Sequence, residues 1–226
     1  METKTQKLEP LVGSVLGYGW DTMGNYFLRL FLIVLIVGVA NIPLSILEAA
    51  GESEAALVFL QIFALAYLLF VMVPLRYGAA LLFLKTTRNT SFEIKELFNA
   101  FYNYYMNVVL AGLLTGAIIG IGIFLLVVPG IIFACRLAFV PYLVMDKKLD
   151  PVKAVEESWR LTKGYGWRIF GLGLLSFLIT IAGLIVMFVG VLVSLMWINA
   201  SFAAMYQAVL EERGEYVEVP DNSNGD

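Results

Sequence analysis

Two arginines stand inside apolar runs: Arg76 in VPLRYGAALLFLK and Arg136 in PGIIFACRLAFVP. A guanidinium stays charged in a protein and meets phosphate or carboxylate through paired N–H bonds. The chemistry these positions admit is therefore anion binding, with a lipid phosphate as the foremost ligand. Asn199 holds the comparable place in the last apolar run. Arg76, Arg136 and Asn199 together form a candidate anion or lipid-headgroup set. The same arginines also fit snorkelling, in which the charged head reaches the headgroup layer while its stem stays apolar.

Other chemistries find little to work with. The chain has no histidine, which removes the usual general base and the usual metal ligand. Its one cysteine, Cys135, lies in an apolar run and reads as a small buried hydrophobe. Glycine-rich phosphate loops, metal-ligand spacings and nucleophile elbows are missing from the sequence. Glu156 and Arg160 are spaced for a helical ion pair beside Glu157 and Lys163, on what reads as a solvated face. No catalytic residue, cofactor or metal is expected, and neither is enzymatic activity.

The elements that position these residues are apolar helices. Of 226 residues, 60% are hydrophobic and 15% charged, and the mean hydropathy is +0.84. Soluble domains run nearer half apolar and a quarter charged. The fold class is all-α: a polytopic membrane helical bundle of about six spanning helices. The spans are expected near 26–47, 56–84, 104–128, 130–146, 166–188 and 190–210, in one membrane domain over 1–212. Pro74 should kink the second. Pro129-Gly130 reads as a tight structural turn between the third and fourth. Gly112, Gly116 and Gly120, four apart, read as a helix-packing ridge.

With the N-terminus in the cytoplasm, the inner segments hold Lys4, Lys7, Arg29, Lys85, Arg88, Lys95, Lys147, Lys148, Lys153, Arg160, Lys163, Arg168 and Arg213. The outer connections hold no Lys or Arg, and the first is acidic, with Glu48, Glu52 and Glu54. That asymmetry predicts cytoplasmic termini in a plasma (inner) membrane. The tail 213–226 is polar and expected to be disordered.

Three entries into apolar runs look alike: Trp20 to Tyr26, Phe98 to Tyr104 and Trp159 to Tyr165 each place a tyrosine six residues after an aromatic. The reading is an interfacial amphipathic helix, an elbow and a hairpin of two spans, used three times near 10–84, 91–146 and 150–212. Asp150 would cap the third interfacial helix, Pro151 would occupy its first turn, and Gly164 would end it.

The segments PLRYGAALLFLK (74–85), SFEIKELFNAF (91–101), VVPGIIFACRLAFVPYLVMD (127–146) and PVKAVEESWRLTKGYGWRIF (151–170) resemble a bacterial and archaeal membrane family, domain of unknown function 975. The Pro-Gly-Ile segment, Ala154, Ser158, Gly164 and the Trp-Arg entry are similar, more distantly, to the membrane domain of glycerophosphodiester phosphodiesterases. The resemblance implies a prokaryotic multi-span module without an agreed chemistry. The soluble phosphodiesterase domain is missing, so its activity does not carry over.

The function expected is a non-enzymatic membrane module that binds membrane lipid or a protein partner, and not nucleic acid. The alternative is a transporter or channel for a small anionic solute.

Overall fold

The computed structural model describes residues 8–49 and 54–215. The expectations placed on Lys4, Lys7, Glu52 and the tail from Tyr216 lie outside the described residues. Among those described, all regular structure is helical. Helix α1 (Val12–Asn25) meets α2 (Phe27–Ala49) at a 97° bend. Helix α3 (Glu54–Tyr67) runs through a π turn, Leu68–Met72, into α4 (Val73–Thr87). A 3-10 turn at Ile94–Phe98 and the short α5 (Asn99–Tyr102) lead to α6 (Tyr105–Leu125), α7 (Val127–Arg136) and α8 (Val140–Met145). Then come α9 (Pro151–Leu161), α10 (Gly166–Ile185) and α11 (Met187–Glu212).

Among the described residues, five segments are long and apolar enough to cross a membrane: Leu60–Thr87, Tyr105–Leu125, Val127–Met145, Gly166–Ile185 and Val189–Glu212. A sixth is reached when Val12–Asn25 and Phe27–Pro43 are taken as one bent segment.

Pro74 and Pro129 each have a visible local effect. Pro74 denies the Phe70 carbonyl its α-helical donor. The π turn absorbs the misfit, and the Tyr105 hydroxyl donates to that carbonyl at 3.1 Å. The turn before α7 falls at Leu126, in extended backbone (φ −164°, ψ 146°), and not at Pro129-Gly130. Pro129 instead sits in the first turn of α7, where a missing N–H costs nothing.

Gly130 serves close approach. A Cβ on Gly130 would stand 2.8 Å from the Ile123 nitrogen, and one on Gly122 would stand 2.9 Å from the Gly130 Cα. Gly183 and Gly190 do the same between α10 and α11, with 2.7 Å from a Gly183 Cβ to the Gly190 carbonyl oxygen. The ridge expected from Gly112, Gly116 and Gly120 is corrected accordingly. Gly112 packs on Val73, whereas Gly116 and Gly120 face open space. The buried face of α6 passes through Val108, Ala111 and Gly122, and residues 116 and 120 lie off it.

The core gathers at the basic end of the bundle. On α11, residues 200–210 are buried except for the half-buried Phe202. Helix α1 lies along that stretch: Trp20 and Trp197 meet edge to face at 4.9 Å, and the Trp197 indole donates to the Leu16 carbonyl at 2.8 Å. At the opposite end large apolar side chains stay exposed, among them Phe124 at 90% and Ile185 at 79%. Apolar area of this kind is unfavourable in water and favourable in hydrocarbon.

The basic residues tie that end together. Arg88 reaches Asp146 and Gln207; Lys85 pairs with Glu96; Arg168 donates to the Pro10 carbonyl, and Arg213 to the Lys163 carbonyl. Two local expectations change here. Asp150 makes no side-chain capping bond and pairs with Lys153 at 3.7 Å. Arg160 bonds Glu157, not Glu156, at 2.7 and 2.8 Å, because Glu157 shares a face with Glu215, which Arg160 also holds.

Candidate functional site

The site begins at a break in an apolar segment. Pro141 in the first turn of α8 forces the chain out of helix between Arg136 and Val140. The Val140 N–H bonds back to the Leu137 carbonyl at 3.1 Å, so the Arg136 carbonyl loses its i+4 donor. Ser158 on α9, fully buried, repairs both ends of the break. Its hydroxyl donates to the Arg136 carbonyl at 2.7 Å and accepts from the Phe139 N–H at 3.3 Å. Thr162 donates to the same carbonyl at 3.3 Å. Buried backbone groups without such partners would cost about 1–3 kcal/mol each. The break thus fixes where Arg136 stands.

From that point the Arg136 side chain faces a cavity of about 550 Å³ between α7 and α10. Val128, Ile131, Ile132 and Cys135 form one wall. Gly164, Gly166, Trp167 and Phe170 form the other. Gly164 holds φ +93°, a conformation open to glycine, and ends the α9 turn as the sequence predicted. The chain then enters α10 at Gly166, so the first turn of a 20-residue helix borders the cavity. Such a turn carries unpaired N–H groups and a partial positive charge.

The guanidinium itself is incompletely satisfied. Its Nη1 is buried and has no hydrogen-bond partner among the described residues. The Trp159 ring lies 5.7 Å from Cζ, and Phe133 packs against that ring at 5.8 Å. Cation–π attraction offsets part of the cost of holding the charge there, but it fills no N–H bond. The arrangement is a charged donor at one end of an apolar slot.

The three residues singled out in the sequence are not brought together. Arg76 is exposed on α4, and Asn199 is exposed on α11, where its amide donates to the Leu195 carbonyl at 2.8 Å. Neither lines the cavity. Cys135 is half-buried rather than fully buried, and it does line the cavity. Trp167 was visible only as part of the Trp-Arg entry, without a role, and Phe170 and Gly166 carried no signal of their own, because aromatic and glycine residues are common where apolar helices begin. Ser158 was visible only as part of a motif, without a role.

A second charged cluster lies at the same end. Arg160 and Lys147 hold Glu157 and Glu215, with Lys147 at 3.7 and 3.3 Å from them. Hydrogen bonds from Arg160 keep the Glu157 carboxyl below its usual pKa against the cost of burial. At Glu215 burial pushes the pKa up, and Arg160 and Lys147 outweigh it, so this carboxyl too lies below its usual value. All four charges are matched, which leaves this cluster a fastening for the start of the tail. Among the described residues, no group of three or more Cys, Asp or Glu is placed to hold a metal.

A family model described as Domain of unknown function (DUF7847) matches residues 97–212, just over half of the 226 residues. The chain belongs to that family. The matched region contains α6 to α11, and with them both walls of the cavity, Arg136 and Ser158. The family is an uncharacterised one, as the resemblance implied; the match does not carry the likeness to domain 975 or to the phosphodiesterase membrane domain. No curated relative and no solved structure matches the chain at a significant level.

Proposed function

We propose that this chain is an integral membrane module that holds an anionic lipid in the cleft between α7 and α10. The carrying observation is Arg136, a charged residue lining an apolar slot, whose Nη1 is buried with no hydrogen-bond partner among the described residues. An unpaired donor on a charged group is costly in a low-dielectric surrounding, and a phosphate oxygen would relieve it. The apolar walls suit an acyl chain, and the exposed Trp167 at the rim suits the headgroup layer.

The wider reading is six spans in three hairpin units of one orientation, with both termini at the cytoplasmic face of a plasma membrane. It is supported by the elbows. Tyr26, Tyr104 and Tyr165 each interrupt the helix with similar backbone angles: φ −117°, −134° and −107°, ψ 25°, 20° and 0°. Each follows a shorter helical segment and precedes a long apolar helix. The contacts among the basic residues at one end agree with the charge asymmetry of the loops. The likenesses to domain 975 and to the phosphodiesterase membrane domain concern this architecture and carry no chemistry.

The test is lipid retention. Wild type, Arg136→Gln and Arg76→Gln are purified from native membranes and their extracted lipids quantified. Anionic lipid should fall in Arg136→Gln and stay at the wild-type level in Arg76→Gln. Equal retention in all three would remove the basis for a lipid site at Arg136.

A further inference from the structure

We infer that the cleft selects a lipid with one net negative charge on a phosphodiester, its phosphate at Arg136 and one acyl chain along α7. This rests on the lipid-binding reading above and adds the headgroup class, the orientation and the reason for the selectivity.

The charge count carries the first point. Among the described residues that line the cavity, Arg136 alone is charged and none is a carboxylate. A zwitterionic headgroup would bring an ammonium that finds no acidic partner there, next to an arginine that repels it. A phosphomonoester would bring up to two negative charges against one guanidinium. A phosphodiester without an ammonium matches the site one to one. Its second free oxygen can face the opening turn of α10 at Gly166, the other positive feature of the cavity.

The direction follows from the rim. Arg136 and Trp159 lie toward the basic end, and Trp167, 85% exposed, stands on the facing wall at the start of α10. From Arg136 the slot runs past Ile132 and Ile131 to Val128, about 12 Å of helix. All three aliphatic side chains are also exposed, so the slot opens sideways along its length. A chain lying there would have its carboxyl end at the headgroup layer and its methyl end in the hydrocarbon. A free phosphate could use Arg136 but would leave that wall uncovered.

The experiment is native mass spectrometry of the full-length protein after delipidation in detergent. The probes are phosphatidylglycerol, phosphatidylethanolamine and phosphatidic acid of the same acyl composition, and inorganic phosphate as competitor. Loss of one charge-assisted pairing is worth about tenfold or more in affinity. Phosphatidylglycerol should therefore bind about tenfold better than phosphatidylethanolamine, and Arg136→Gln should abolish that preference. Ile131→Trp fills the slot without touching the charge and should weaken all lipids together; thermal unfolding of both variants shows that they fold. Equal binding of phosphatidylglycerol and phosphatidylethanolamine, or stronger binding of phosphatidic acid, overturns the headgroup assignment while leaving the lipid cleft standing. Displacement of lipid by inorganic phosphate overturns the acyl slot. Absence of any bound lipid in the wild type overturns this inference and the proposed function together.

Discussion

Arg88, at the end of α4, and Asp146, just past α8, form a two-point ion pair: Nη1 to Oδ1 at 2.6 Å and Nη2 to Oδ2 at 2.8 Å. The side chains are only 10% and 17% exposed. Nε of Arg88 donates to Gln207 of α11 at 2.8 Å, and the Tyr206 hydroxyl donates to Asp146 at 3.4 Å. One planar guanidinium thus ties together the ends of three helices that are far apart in sequence. Its fork geometry serves this purpose as a lysine would not.

Breaking this pair one partner at a time should be costly. Arg88→Leu or Asp146→Leu leaves a charge buried without its counter-charge, and each should destabilise by about 3 kcal/mol or more. The double variant should recover part of the loss, because no charge remains to be desolvated. Thermal unfolding in detergent of the two single variants and the double variant measures this. Single variants that unfold with the wild type would show that the three ends are held by packing alone.

Ser158 should matter out of proportion to its size. Ser158→Ala strips the Arg136 carbonyl and the Phe139 N–H of a shared partner, an expected loss of about 1–3 kcal/mol. Because that hydroxyl fixes the break from which Arg136 projects, lipid retention should fall as well. Ser158→Thr keeps the hydroxyl and should retain more lipid than Ser158→Ala. If the alanine variant loses stability but keeps its lipid, the break does not position the arginine.

The glycines of α6 and α7 divide into two groups. Gly122→Ala and Gly130→Ala would each push a methyl into the facing helix and should lower the unfolding temperature. Gly116→Ala and Gly120→Ala meet open space. They should be neutral, or stabilising by up to about 1 kcal/mol through helix propensity. The opposite ranking in a melting series would place the packing seam on the ridge of four-residue spacing.

The sequence by itself determined that the chain is a set of apolar helices and nearly where each begins and ends. Length and hydropathy are properties of a segment, and they need no partner to be read. The elbows at Tyr26, Tyr104 and Tyr165 were legible for the same reason, as were the basic ends. What the tertiary structure decided was which faces meet. Gly122 and Gly130 pack where Gly116 and Gly120 do not, although the four-residue spacing marked Gly116 and Gly120 instead. Arg76 and Arg136 looked equivalent, each standing inside an apolar run, yet only Arg136 is half-buried against a neighbouring helix. A charged side chain becomes a site when a second element closes over it, and the closing element here, the first turn of α10, lies some thirty residues further along the chain. Helix rotation and the break at Pro141 set that meeting, and neither is encoded in the composition of any one segment.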